Sequence, residues 1–402
     1  MNNNRFIFTN FLFFFIFLFI GRFLYPLGDE PDFFLRASKV INNVDHYNGP
    51  LNKNTDIYKY FRFFLKSLSE NIECNIKSSP LSLFSKIDYT TCIDSSSNIL
   101  ARFFITSGYL LLIVIPIFLK KSFFIFKKIG MKCSLHEWNL RKRVFSLSLI
   151  LPSIVYYAGA LSSEQVTLFL SLLIFLFYGS SNFVAIIIFL ILLIDIGSGL
   201  MVMCYYFFIS IIVNFYKYFF YLIFFFTLSL LLIIFFRKPL FNLISDYVPF
   251  VGDIFFHADN WMSSLGVVEK YPLILRPIIT YMSFIFLTPA KIKIIPLYVI
   301  FFIFLFKYFI NNIKKVLLIN KITFKNKNYF KKLLIFISSI YFILCIVFLL
   351  PSYAFSKYYI FMTPFFLYAI IDFYTEENMR KFFLLSNLLV FFNLLLYYIL
   401  FI

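Results

Sequence analysis

Charge is what this sequence has least of: 14% of its 402 residues are Asp, Glu, Lys or Arg, against 61% hydrophobic residues and a mean hydropathy of +0.87. A chain so poor in charge cannot present a polar surface to water on all sides, which excludes a soluble globular protein and makes lipid the expected solvent. No glycine-rich phosphate loop, zinc motif, HxxxH pattern or internal repeat occurs. Soluble nucleotide chemistry and metal chemistry are therefore unsupported, and no cofactor is expected. What is abundant is aromatic: 63 Phe and 28 Tyr. In long apolar runs these read as lipid-facing filler.

Acidic residues are scarce in a second sense, since 19 Asp and Glu stand against 37 Lys and Arg, a formal charge of +18. That excess does not imply nucleic acid binding, because it is concentrated in short segments between apolar runs. Residues 120–143 hold eight basic side chains and the single acid Glu137, and residues 314–332 hold seven basic side chains and no acid. Residues 26–100, by contrast, hold eight basic and nine acidic side chains. Basic short loops stay on the cytoplasmic side, so the first two segments are expected inside and the third outside.

A span of about 20 apolar residues crosses a bilayer. On that measure the sequence predicts an all-α polytopic membrane protein, a single domain over 1–402 with about 11 transmembrane helices. The helices are placed near 6–25, 102–119, 144–161, 164–179, 182–198, 199–216, 218–236, 294–312, 333–351, 357–374 and 381–402. The breaks at Gly197-Ser198-Gly199 and at Lys217 are the weakest of the set. The first helix lacks a small-x-small cleavage site and reads as an uncleaved anchor, with the N-terminus cytoplasmic and the C-terminus periplasmic. Two long external loops follow, 26–101 and 239–293. The second contains an apolar run at 273–289 broken by Arg276 and Pro277, which reads as a re-entrant or interfacial helix. Of five cysteines, Cys74 and Cys92 share the first external loop, where an oxidising compartment would allow a disulfide; two separate thiols are the alternative.

The candidate chemistry lies at the outer membrane edge. Asp29, Glu30 and Asp32 follow the first helix directly, and a partly desolvated carboxylate there suits proton removal from an attacking hydroxyl. The structural alternative is a helix cap by Asp29 or Asp32. Lys357, ahead of Tyr358, could hold a lipid-linked phosphate or could simply snorkel to the interface. Arg276 interrupts an apolar segment and has the fork that grips phosphate. Asp253, His257 and Asp259 precede Trp261, which either stacks on a sugar or marks the interface. A divalent cation could bind these three, but one His and two Asp in this order match no metal pattern.

Three stretches carry a family resemblance. Pro26-Leu27-Gly28-Asp29-Glu30-Pro31-Asp32-Phe33-Phe34-Leu35-Arg36-Ala37 resembles the P-x-DEP-x-HF-x-x-A pattern of bacterial membrane proteins allied to the GT-C glycosyltransferases, with Asp32 in place of its histidine. Leu151-Pro152-Ser153-Ile154-Val155-Tyr156-Tyr157, followed by Ser162-Ser163-Glu164, resembles the external end of that family's third helix, where an acid follows a short turn. Ser356-Lys357-Tyr358-Tyr359-Ile360-Phe361-Met362-Thr363-Pro364 resembles its GRYF-x-P signature, with lysine in place of arginine. In length and loop layout the chain is also similar to phage-type serotype-converting O-antigen glucosyltransferases.

The resemblance implies a GT-C-like enzyme of the bacterial inner membrane. Such an enzyme moves a sugar, glucose in the most similar members, from an undecaprenyl-phosphate-linked donor to an O-antigen or related glycan acceptor. It implies Asp29 and Glu30 as catalytic residues and Lys357 as a donor-phosphate ligand; Arg276, Tyr358, Asp32, Glu164, His257, Asp259 and Trp261 are the further candidates for binding substrate or donor phosphate. Two other functions compete. An O-antigen polymerase would also work through external loops, whereas a glycan flippase or transporter would be expected to show inverted repeats and ionisable residues at the bilayer midplane.

Overall fold

The computed structural model describes the strands at 75–77 and 89–91 and the segments 122–149, 163–236, 327–349 and 356–371, apart from 132 and 195. It also describes single positions at 154, 276, 277, 280, 303, 377, 381, 384 and 385. Strands β1 (Asn75–Lys77) and β2 (Tyr89–Thr91) pair antiparallel, with Asn75 opposite Thr91 and Lys77 opposite Tyr89. Cys74 and Cys92 lie outside the described residues; they are the sequence neighbours of the paired Asn75 and Thr91.

The remaining elements are helical. They are α1 (Ser122–Lys128), α2 (Leu135–Ser148), α3 (Ser163–Leu176), α4 (Ser181–Ile194), α5 (Ile196–Asn214), α6 (Phe219–Phe235), α7 (Lys327–Leu349) and α8 (Thr363–Ile370). Single 3-10 segments cover Tyr216–Tyr218 and Ser356–Met362. The chain divides into two compact units, the first comprising Met1–Val202 with Phe383–Ile402 and the second Met203–Phe382.

In the first unit, helix ends are set by glycine. Helix α1 stops at Gly130, whose φ of +107° opens the left-handed region to the backbone. The Met131 amide then donates to the Phe126 carbonyl and the Gly130 amide to that of Lys127, the paired bonds of a Schellman motif, and Met131 folds back into the core. Gly179, with φ +86°, ends α3 in the same region and lets α4 return to pack against it. Helix α2 also packs on α3. Between these helices the rings of Phe126, Trp138, Phe177 and Phe183 form one cluster, with Phe126 and Phe177 centroids 5.0 Å apart edge to face and Phe177 stacked on Phe183 at 4.9 Å.

The second unit is built on α7, which packs against α6 and α8. Its centre is Tyr205 of α5, set edge to face against Phe342, Phe361 and Phe365, each at 5.3 Å. Ile212, Phe219 and Leu334 form a further buried group. Polar side chains within these apolar helices are turned onto the backbone: Thr227 donates to the Ile223 carbonyl and Ser339 to that of Ile335, both at 2.7 Å. This satisfies the hydroxyls without water.

Among the described residues, two helical segments are long and apolar enough to cross a bilayer, Gly197–Asn214 and Lys331–Phe348. Helix α6 turns an apolar row outward, aromatic at Phe220 (82% exposed), Tyr221, Phe224 and Phe225, aliphatic at Leu228, Leu231 and Leu232, and aromatic again at Phe235 (80% exposed).

The observed elements differ from the sequence expectations at three places. The basic segment 120–143, expected as a loop, contains α1 and the first half of α2. The division expected at Gly197-Ser198-Gly199 falls slightly earlier, between the end of α4 at Ile194 and the start of α5 at Ile196, so the three residues open α5. Gly199 serves close packing there, since a Cβ would meet the Leu192 side chain at 2.6 Å. Finally, the helix expected at 357–374 is a 3-10 segment followed by the short α8. At Lys217 the expected separator is a real one, the 3-10 turn Tyr216–Tyr218 between α5 and α6.

Candidate functional site

The second unit contains the turn that carries Lys357. Seven residues, Ser356–Met362, adopt 3-10 geometry before α8 begins at Thr363. Runs longer than three or four residues are uncommon in this geometry, and local sequence explains the tightening. Pro364 sits in the first turn of α8 and has no N–H to offer the Ile360 carbonyl, so an α-helix cannot run continuously through 360–364. Tertiary packing holds the result. Tyr359, Ile360 and Met362 are fully buried, and Phe361 and Phe365 close on Tyr205. Lys357 and the half-buried Tyr358 thus belong to a turn whose following residues are anchored in the core.

Behind the turn lies a layer of hydroxyls. Ser339 gives its proton to the Ile335 carbonyl, so the Tyr205 hydroxyl is the donor in the 2.8 Å bond between the two side chains. By the same reasoning the Tyr341 hydroxyl donates to Thr227 at 2.8 Å. Ser338 and Thr363 are buried too, and among the described residues their hydroxyls have no hydrogen-bond partner. At the other end of α7, the buried Lys332 ammonium lies 4.7 Å from the centroid of Tyr368, a cation held on an aromatic face.

Arg276 is half-buried, its carbonyl accepts the Thr280 hydroxyl at 2.9 Å, and Thr280 and Pro277 are buried. Glu164 is the second residue of α3. Asp29, Glu30, Asp32, His257, Asp259 and Trp261 lie outside the described residues. Lys357, Tyr358 and Arg276 all fall within the second unit, and Glu164 within the first.

The first unit holds a polar constellation that was absent from the candidates read in the sequence. Arg141, only 8% exposed, donates through Nε to Glu137 Oε1 at 2.9 Å and through Nη1 to the carbonyls of Leu176, at 3.3 Å, and Tyr178. Its guanidinium also lies 5.7 Å from the Tyr178 ring. Arginine therefore covers the open carbonyl end of α3, where cations interact favourably with the helix dipole. The signal for it was legible: Ser134-x-x-Glu137 is a capping pattern, and the Ser134 hydroxyl does accept the Glu137 amide at 3.2 Å. Burial acts on the neighbouring groups, pushing the Cys133 thiol above its ordinary value, against the pull of Arg141, and the Lys142 ammonium below its own. The thiol stays protonated near neutral pH and is a poor nucleophile.

This constellation is structural, and its removal has a measurable consequence. Arg141→Met would strip charge-assisted bonds from two helix-end carbonyls and leave the half-buried Glu137 without its cation. The expected loss of stability is about 2–3 kcal/mol. Arg141→Lys should recover only part of this, because one ammonium cannot span a carboxylate and two carbonyls as a planar fork does. Thermal unfolding of the three proteins in detergent measures the order, and equal midpoints would refute the role.

Among the described residues no group of three or more His, Cys, Asp or Glu could hold a metal ion. Comparison with known proteins adds no relative: no family model, no curated protein and no solved structure matches the chain.

Proposed function

We propose that the protein is a membrane glycosyltransferase that takes a sugar from a polyprenyl-phosphate donor and adds it to a glycan at the outer face of the bacterial inner membrane. The observation that carries this reading is the Lys357 turn. Lys357 belongs to a 3-10 segment whose following residues Tyr359, Ile360 and Met362 are buried, so the backbone that carries it is anchored. Backbone that leaves α-geometry near a membrane is tolerated where protein satisfies it, and the buried Tyr359, Ile360 and Met362 supply that support here. The exposed apolar row of α6 and the two long apolar helices support a lipid environment, since such a surface is costly in water.

In this reading Asp29, with Glu30 as its neighbour, accepts the proton of the acceptor hydroxyl as that oxygen attacks the anomeric carbon. The bond from that carbon to the phosphate oxygen breaks, and Lys357 with Arg276 neutralises the charge that develops on the departing polyprenyl phosphate. Stabilising this charge in a water-poor groove contributes more to the rate than the base does. Tyr358 sits beside Lys357 in the turn and would help hold it at headgroup depth.

Mass spectrometry of surface polysaccharide from cells with and without the gene tests the proposal. One added hexose per repeat unit is the expected result. A change in polymer length without a change in repeat mass would replace transfer by polymerisation, and identical polysaccharide in both strains would reject glycosyl transfer.

A further inference from the structure

The segment 122–135 has no part in sugar transfer, and its geometry points elsewhere. Helix α1 inserts Phe123 and Phe126 into the core, the latter against Trp138, Phe177 and Phe183. With a helical period, that leaves Phe124, Ile125, Lys127 and Lys128 facing outward. The Schellman turn at Gly130 then adds Ile129, so that Phe124 and Ile129 are each 61% exposed, and Leu135 is exposed where α2 begins. Apolar and cationic side chains are therefore interleaved on one rigid surface. Lys127 lies across Phe123, its ammonium 5.7 Å from the ring centroid, a stem on an apolar surface with an exposed head.

Charge bookkeeping decides what such a surface fits. Across 120–143 the sequence holds eight basic residues and one acid, Glu137. The structure places that acid on the buried Arg141, 2.9 Å from its Nε. Nothing acidic in the segment is left to balance Lys127 and Lys128. They follow the apolar run expected to span at 102–119 by eight and nine residues, so that span would bring α1 to the membrane surface.

We propose that α1 and the Gly130 turn form an interfacial binding surface for anionic phospholipid. In it Lys127 and Lys128 take the headgroup phosphodiester, while Phe124, Ile125, Ile129 and Leu135 lie against the upper acyl chains. This is the division of labour by which amphipathic segments rest in an interface. It is independent of the glycosyltransferase reading, because it concerns a different segment and a ligand that is not consumed.

Native mass spectrometry of the full chain in detergent, titrated with phosphatidylglycerol or phosphatidylcholine of identical acyl chains, tests it. The wild-type chain should retain phosphatidylglycerol in preference. Lys127→Gln and Lys128→Gln should each weaken that association about fivefold, and the double variant about 25-fold, as expected of basic residues at an anionic surface. Both substitutions are on exposed side chains, so folding is unaffected. Lys381→Gln is the control: its ammonium lies 2.8 Å from Glu377, whose carboxyl it holds below the usual range, and its loss should leave the preference intact. Phe124→Gln with Ile129→Gln should weaken retention of both lipids. Equal retention of the two lipids by the wild type, or a Lys127→Gln/Lys128→Gln protein indistinguishable from it, would overturn the proposal.

Discussion

Asp29→Asn is expected to lower sugar transfer by about 10²–10⁴-fold while leaving protein level and membrane insertion unchanged. The amide keeps the size and shape of the carboxylate but cannot accept a proton from the acceptor hydroxyl. In the sequence the residue follows an apolar run directly, so it is expected at a polar interface where the substitution would disturb little packing. Glu30→Gln should rank second, since the neighbouring carboxylate shares the same edge of the membrane and can partly substitute as base. Asp29 and Glu30 lie outside the described residues, so the expectation rests on their place in the sequence and on the chemistry of a partly desolvated carboxylate. Quantifying modified repeat units at matched expression measures it, and near-normal modification in both single variants would sink the general-base assignment.

Lys357→Met should reduce transfer by about 10²–10³-fold, the usual scale for removing one preorganised group that meets developing charge. The loss should fall mainly on kcat, because the negative charge on the phosphate oxygen grows as the bond to the sugar breaks. Lys357→Arg should retain most of the activity, since it keeps the charge and adds a fork matched to phosphate oxygens. The fold bears on how this is read: the turn is anchored by the buried Tyr359, Ile360 and Met362, so exchanging Lys357 leaves its backbone support in place. A lysine that only snorkels would make Lys357→Met nearly silent, and transfer rates of the two variants at equal expression separate these outcomes.

Much of the local architecture was legible. Lys217 marks the turn between α5 and α6 because a lysine between two aromatic apolar runs is a poor residue to bury. Gly179 marks the end of α3 because only glycine enters the left-handed region without penalty. Hydropathy misread the basic segment 120–143 as a loop, since it weighs charge and ignores helix signals. The glycine turn at Gly130, a capping Ser134 and a Glu137–Arg141 pair at i,i+4 spacing outweigh the charge there.

The candidate site was read in part. The sequence singled out Lys357 and Tyr358 from a motif, and Arg276 as a charge in an apolar run. It had no means of showing that Tyr205, far earlier in the chain, supplies the aromatic seat for Phe361 and Phe365, or that its hydroxyl ends on Ser339. Nor did it distinguish Arg141 from the other basic residues around it, although one is buried on a helix end and the neighbouring Arg143 is exposed.

By itself, then, the sequence determined the apolar windows in α5 and α7, the turn at Lys217 and the lopsided distribution of charge, but not the strands β1 and β2 or the helices within 120–143. The former follow from properties of single residues and their spacing: transfer free energy, backbone freedom and formal charge act wherever the residue sits. Which polar groups are buried, which aromatic rings meet, and which lysines remain exposed beside Phe124 and Ile129 were decided only by the tertiary structure. Those outcomes depend on which residues far apart in the chain come into contact, and burial and hydrogen bonding are properties of the contact.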